Sequence, residues 1–278
     1  NRLKYSLIAI FAFGSLAVFG QKSTGAAQFP ELTPDVRGVG MGNSGVAATA
    51  NAFSIYRNAA KSIFSTQKAE IGYSFTPWLR ELSKGSNLHG VAGYWNLDEK
   101  QGITAGFRWF NHSETNIWDK EGNDAGTFTP KDWSVDVGYA RKLTDDLSVG
   151  ATARFIRSDM SGLDKDDVAN AVAFDLGLYY RRNFENWAVG LQASNFGTKI
   201  DYGYGKYDQA SKVAAGGMID HVFTDKHRLQ GTLDVACQVL PNTNWGGSVG
   251  VEYTLLQIVA IRGGYHYGEQ DNKLQRYG

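Results

Sequence analysis

The chain has 278 residues and no net charge, with 28 basic and 28 acidic side chains, so it lacks the basic balance expected of a nucleic-acid partner. Apolar residues make up 42% and mean hydropathy is −0.33, which excludes a bundle of membrane-spanning helices. A single cysteine, Cys237, excludes an intrachain disulfide or a cysteine metal cluster and reads as a small apolar residue on a strand.

Residues 1–20 read as a secretory signal. Asn1-Arg2-Leu3-Lys4 is a basic start, and the apolar run after it falls short of the about 20 residues a spanning helix needs. Cleavage is expected near Gly20-Gln21.

Residues 21–68 stand apart from what precedes and follows them. Their centre, PDVRGVGMGNSGVAATANAFSIYRNAA at residues 34–60, is small, glycine-rich and too poor in bulky side chains to build a core. It is expected to pack as a plug against the inner wall of a larger structure. Gly40, Gly42 and Gly45 spell the G-x-G-x-x-G of dinucleotide sites. The preceding FPELTPDVR is no buried strand, however, and no alternation of helices and strands follows. Tight turns and close backbone approach account for these glycines.

From residue 69 onward the pattern is period-two alternation, the mark of strands with two unlike faces. Trp133, Val135, Val137 and Tyr139 oppose Ser134, Asp136, Gly138 and Ala140. Val172, Phe174, Leu176 and Leu178 oppose Ala173, Asp175 and Gly177, and the split recurs to residue 267. It blurs at residues 88–97 and 212–223. The segments run to roughly 9–13 residues, which suits tilted membrane-spanning strands better than ordinary ones. Trp78, Trp95, Trp109, Trp133, Tyr180, Trp187 and Trp245 sit near segment ends, as interfacial aromatic belts do. Arg108, Asp136, Arg154, Asp175, Asp234, Glu252 and Arg262 take the non-apolar side of segment centres, where a lumen can pair them and lipid cannot. Short joins such as Leu143-Thr144-Asp145-Asp146-Leu147 alternate with long polar connections, as in outer-membrane barrels.

The fold class is therefore all-β, a transmembrane antiparallel barrel over residues 69–278 with an N-terminal plug segment. About 11 strands are counted, and bacterial barrels have even strand numbers, so at least 12 are expected. A new strand starting at Leu274, and a first residue other than Met, give the expectation that C-terminal strands are missing.

No catalytic constellation is found. The five histidines lack ligand spacing, and no serine occupies a G-x-S-x-G elbow. Asp164, Asp166 and Asp167 share a loop that lacks the glycine and terminal glutamate of a calcium loop, and they read as solvated acids. No enzyme activity, cofactor or metal is expected.

The chain resembles the PorV/PorQ family of outer-membrane proteins, FadL-like barrels found in Bacteroidetes and linked to type IX secretion. The likeness begins at TPDVRGVGMGNSG with Asp35, Arg37, Gly40, Met41 and Gly42, and continues to a tyrosine-then-Asn58 motif in which Ala59 replaces the family's proline. YSFTPW, AFDLG, ASNFGTKI, GVEY and RGGY complete it in order. The resemblance implies a barrel of about 14 strands in full, with residues 34–60 near its plug. It also implies a binding role: receiving exported cargo by its C-terminal signal domain, or holding the surface sortase that processes it.

The leading expectation is thus a secretion component in the bacterial outer membrane, in contact with lipid, the secretion translocon, secreted cargo proteins or the surface sortase. Trp118, Phe128, Tyr202, Tyr204 and Tyr207 in the long loops are candidate partner contacts. The alternative is a FadL-like transporter of small hydrophobic molecules, which calls for an apolar pocket in the lumen. Arg108, Arg154 and Arg262 facing Asp136, Asp175, Asp234 and Glu252 argue against one.

Overall fold

The computed structural model describes residues 29–77, 85–118, 121–160, 168–182, 186–203 and 205–268. The signal segment, Trp78, Asp164, Asp166, Asp167, Tyr204 and Leu274 lie outside the described residues. Three short 3-10 turns (Phe29–Glu31, Ala52–Tyr56 and Ala59–Phe64) and one brief helix, α1 (Val36–Gly40), make up the N-terminal segment. None of these could stand alone, since isolated helices of this length are unstable in water.

Fifteen strands follow among the described residues: β1 (Ala69–Pro77), β2 (Asn87–Asn96), β3 (Gln101–Asn111), β4 (Thr115–Trp118), β5 (Asp124–Phe128), β6 (Lys131–Lys142), β7 (Leu147–Asp159), β8 (Val168–Tyr180), β9 (Trp187–Gly197), β10 (Ile200–Asp201), β11 (Lys206–Tyr207), β12 (Lys212–Thr224), β13 (His227–Gln238), β14 (Asn244–Leu255) and β15 (Val259–Gly268). Eleven of them form one antiparallel sheet in the order β1-β2-β3-β6-β7-β8-β9-β12-β13-β14-β15. This is a meander in which each spanning strand pairs with the next. Among the described residues β1 and β15 do not pair with each other. The hairpins β4–β5 and β10–β11 are separate ribbons within two of the long connections.

The alternation read from sequence is the division between the two faces. On β6, Val135, Val137 and Tyr139 are exposed, whereas Ser134, Asp136 and Ala140 are buried. This inverts a soluble sandwich, whose apolar face turns inward, and matches a barrel facing lipid. Trp109, Trp133 and Trp245 lie toward the long-loop end, while Trp95 and Trp187 lie toward the short-turn end. The two blurred stretches are full strands, β2 and β12. Their inward positions carry Leu88, Tyr94, Ala214 and Met218, all buried, so apolar side chains fall on both faces and the period is lost.

Candidate functional site: a plug seated in the lumen

The N-terminal segment runs down the inside of the rolled sheet. Phe29 packs near the long-loop ends of β2, β3, β7 and β8, among Leu88, Phe110, Ile156, Ala169, Ala171 and Ala173. Phe64, at its other end, meets Tyr179 near the short turns, with ring centroids 5.3 Å apart. In between, the segment touches the inner face from β1 to β15. Approach is close enough that wall glycines are required. A Cβ at Gly150 on β7 would strike the Ala60 backbone, and one at Gly264 on β15 would strike Met41. Gly42 adopts φ +65°, a left-handed turn that turns the chain against β15. Of the G-x-G-x-x-G glycines, Gly40 ends the brief helix α1 and lies against Arg262, Gly42 lies against β15, and Gly45 donates its N–H to Asp234.

The lumen charges fall into distinct groups. The first lies within the wall of β3, β6, β7, β8 and β9. Arg154 and Asp136 are register partners across β6 and β7, and Arg154 pairs with both Asp136 and Asp175 (2.9 Å to the latter). Asn195 completes the ring: its N–H donates to Asp175 at 2.7 Å, and its side-chain oxygen accepts from Arg154. Asn195 reaches inward because β9 bulges there, with two residues opposing Asp175 and Asn195 itself at φ 60°. Arg108 joins the group at 3.6 Å from Asp136 and donates to Ser134 at 3.1 Å. It also donates to the plug, at 2.9 Å to Pro30 O and 3.1 Å to Leu32 O, while its guanidinium stacks 4.6 Å from the Tyr56 ring centroid. Burial pushes the Tyr56 phenol up.

The second group joins plug to wall across β13, β14 and β15. Arg37 donates to both carboxylate oxygens of Glu252, at 2.9 and 2.7 Å, a bidentate pair. It also reaches Gln230 at 2.8 Å and the Thr49 carbonyl at 3.0 Å. Arg262, the register partner of Glu252, binds the same carboxylate from the wall and packs beneath Gly40.

Between these lies a third arrangement. Asp234 accepts from the backbone N–H groups of Gly45 (2.6 Å) and Val46 (3.0 Å). The Asn58 amide donates to Leu178 O at 2.9 Å, and its oxygen accepts from Ala60 N at 3.1 Å. Asp35 accepts from Asn51 at 3.0 Å within the plug. Lys61, fully buried, donates to Gly45 O at 2.7 Å. Burial pulls its ammonium down to about 7, a shift only partly opposed by Asp35 and Asp234.

Sequence reasoning missed Lys61, Asn195 and Phe29. A lone cation among small residues, as in NAAKSIF, was the available signal for Lys61. The expectation of a charged, non-greasy lumen requires correction. Its middle layer is ionic, but its long-loop end holds a buried apolar cluster that also includes Ile200 and Tyr202. Of the loop aromatics, Trp118 is 60% exposed on the β4–β5 hairpin. Phe128 and Tyr207 are half-buried. Tyr202 is buried and bonds Ser158 through its hydroxyl at 2.8 Å, so its ring is unavailable as a surface contact. An aromatic in a polar loop folds inward when an apolar patch lies within reach.

A family model described as "Type IX secretion system protein PorV" matches residues 20–244. Among solved structures, the Pseudomonas putida toluene transporter TodX superposes with a TM-score of 0.55 at 12% identity, covering 91% of this chain and 85% of that chain. The Ralstonia pickettii toluene transporter TbuX gives 0.51 at 12% identity, covering 86% of each chain. At these identities the likeness establishes the fold, a FadL-like barrel. No curated protein matches the chain in sequence.

Proposed function

The chain belongs to the PorV family, outer-membrane barrel components of the type IX secretion system, and from that premise we propose that it works as a rigid docking barrel. In this reading it binds exported cargo by C-terminal signal domains, or holds the surface attachment complex, through its external rim. The role is one of binding and carries no catalytic step. The observation that supports it best is the seated plug: charged and glycine contacts with wall strands from β1 to β15 leave the middle of the lumen filled. A filled lumen directs attention to the rim.

At the rim, the β4–β5 hairpin is a two-stranded ribbon of its own, and it presents Trp118 to solvent. Exposed tryptophans are frequent centres of binding energy. Trp118→Ala should leave the barrel folded, seen as unchanged heat-modifiable migration on gels, and reduce capture of a purified cargo C-terminal domain at least tenfold. Undiminished capture would remove this hairpin from the docking surface.

The transporter reading has one observation in its favour beyond the fold relatives, which are toluene transporters: the apolar cluster at the long-loop end. Phe29 fills it, and the charged layer lies below.

A further inference from the structure

We propose that the lipid-facing wall of β6 and β7, at its long-loop end, is a binding site for the phosphate of an outer-leaflet lipid, held between Arg157 and Lys131 above an aromatic platform.

Alternation fixes which way these side chains project. On β7, Ile156 and Ser158 are buried on the luminal side, so Arg157 between them belongs to the outer face. On β6, Lys131 and Trp133 take the same face, with Asp132 and Ser134 buried inward. Trp133 is the register partner of Arg157, and Lys131 lies one outward position nearer the long loops. The two cations are therefore diagonal neighbours on adjacent strands, and side chains of their length can meet on one group.

Below them the wall turns apolar. Phe107 on β3 and Phe155 on β7 flank Val135, one outward step down, and their ring centroids lie 6.4 and 5.6 Å from that of Trp133. Tryptophan at this height marks the boundary between acyl chains and headgroups. A cation facing lipid at that boundary is costly unless it reaches water or an anion. Yet neither Arg157 nor Lys131 forms an ion pair among the described residues. Arg157 Nη1 donates to Asn170 Oδ1 at a long 3.4 Å, and Asp159, opposite Lys131 in register, does not pair with it. The missing anion has to arrive with the lipid. A phosphate suits both partners, since its oxygens accept two parallel bonds from a guanidinium and a point-charge contact from an ammonium. The acyl chains then lie along Phe107, Trp133 and Phe155. The leaflet is the outer one, because long connections of such barrels are external. This site is independent of the plug and of the docking rim.

The test uses the full-length protein in detergent. Because the site opens sideways into the bilayer, its lipid exchanges with detergent on solubilisation and is added back as diphosphoryl lipid A, with native mass spectrometry counting what binds. Wild type should take up one lipid per barrel saturably. The same lipid stripped of its phosphates should bind at least tenfold more weakly. Arg157→Gln should lose at least tenfold and Lys131→Gln at least threefold, both with unchanged heat-modifiable migration. Arg141→Gln, which removes an outward cation at the opposite end of β6, should bind like wild type. Equal uptake of the phosphate-free lipid would reduce the site to acyl contact and overturn the proposal. Undiminished binding by Arg157→Gln would overturn it too, as would an equal loss in Arg141→Gln, the mark of unspecific charge attraction. Inorganic phosphate at the same concentration should not compete, and competition would mean a free-ion site instead of a lipid one. Should Arg157→Gln not assemble, Arg157→Lys serves. It keeps the charge but gives up the paired hydrogen bonds, so it should bind at least threefold more weakly, and binding equal to wild type contradicts the proposal.

Discussion

Two ionic groups fix the same plug to opposite walls, and they are built in different ways. Around Asp136, the charges belong to the wall itself: Arg108, Asp136, Arg154 and Asp175 are all buried, and Arg108 holds the plug through carbonyls and the ring faces of Phe29 and Tyr56. Around Glu252, the bond runs from a plug side chain, Arg37, to a wall carboxylate, and Arg262 remains a third exposed. The first group frames the barrel and lends one guanidinium to the plug. The second ties a plug side chain directly to the wall. Losing a partner in the first should damage the whole barrel, whereas losing one in the second should mainly loosen the plug.

That difference can be broken at several points. Asp136→Ala strands two buried arginines without their shared carboxylate, and should cost about 3–5 kcal/mol, read as a lowered denaturant midpoint of the folded barrel. One residue along β6 the geometry reverses. Val137 is 60% exposed toward lipid, and Val137→Arg should cost about 2–4 kcal/mol near the bilayer midplane. Insensitivity at Val137 would mean that this face does not meet lipid. Glu252→Gln keeps shape and removes the charge. With Arg262 partly in solvent the loss should be about 1–2 kcal/mol, and protease accessibility of residues 34–60 should rise while the strands stay protected.

A separate test is the pH slope from Lys61, which lies in the plug and outside the spanning strands. Its folded value of about 7 is below the ordinary 10.5, so between those limits the unfolded chain binds the extra proton. Stability should therefore rise with pH across that window, by up to about 1.4 kcal/mol per unit, with the full penalty present below pH 7. Lys61→Met should remove this slope, measured as the difference from wild type.

Much of the fold is legible in the sequence because lipid imposes one rule on the outer face. Val135, Val137 and Leu176 must be apolar there, and Asp136 and Asp175 must turn away. The inner face obeys no single rule. Next to the plug it takes Met218, Ala214 or Leu88, at mid-height it takes Asp and Arg, and at the long-loop end it takes Phe110 and Ile156. Period two therefore fades wherever the plug is apolar, as in β2 and β12. Asn195 is beyond the reach of periodicity, because a bulge shifts the count by one and swings a single side chain inward. The plug was visible from its composition, yet its partners were not, since Arg37 and Glu252 lie 215 residues apart. Tyr202 and Trp118 look alike in sequence, both aromatics in polar loops, and only the nearby apolar cluster separates them.

The central claim is that the barrel serves secretion from its rim, with the middle of its lumen filled. The direct measurement is a pull-down of the tagged full-length protein from detergent-solubilised outer membranes, with mass spectrometry of companions and native mass of the barrel. The account predicts that the secretion translocon, or proteins sharing a C-terminal secretion domain, co-purify with a barrel of unmodified mass. A barrel that comes down alone, carrying a hydrocarbon or fatty acid in its native mass, would contradict it.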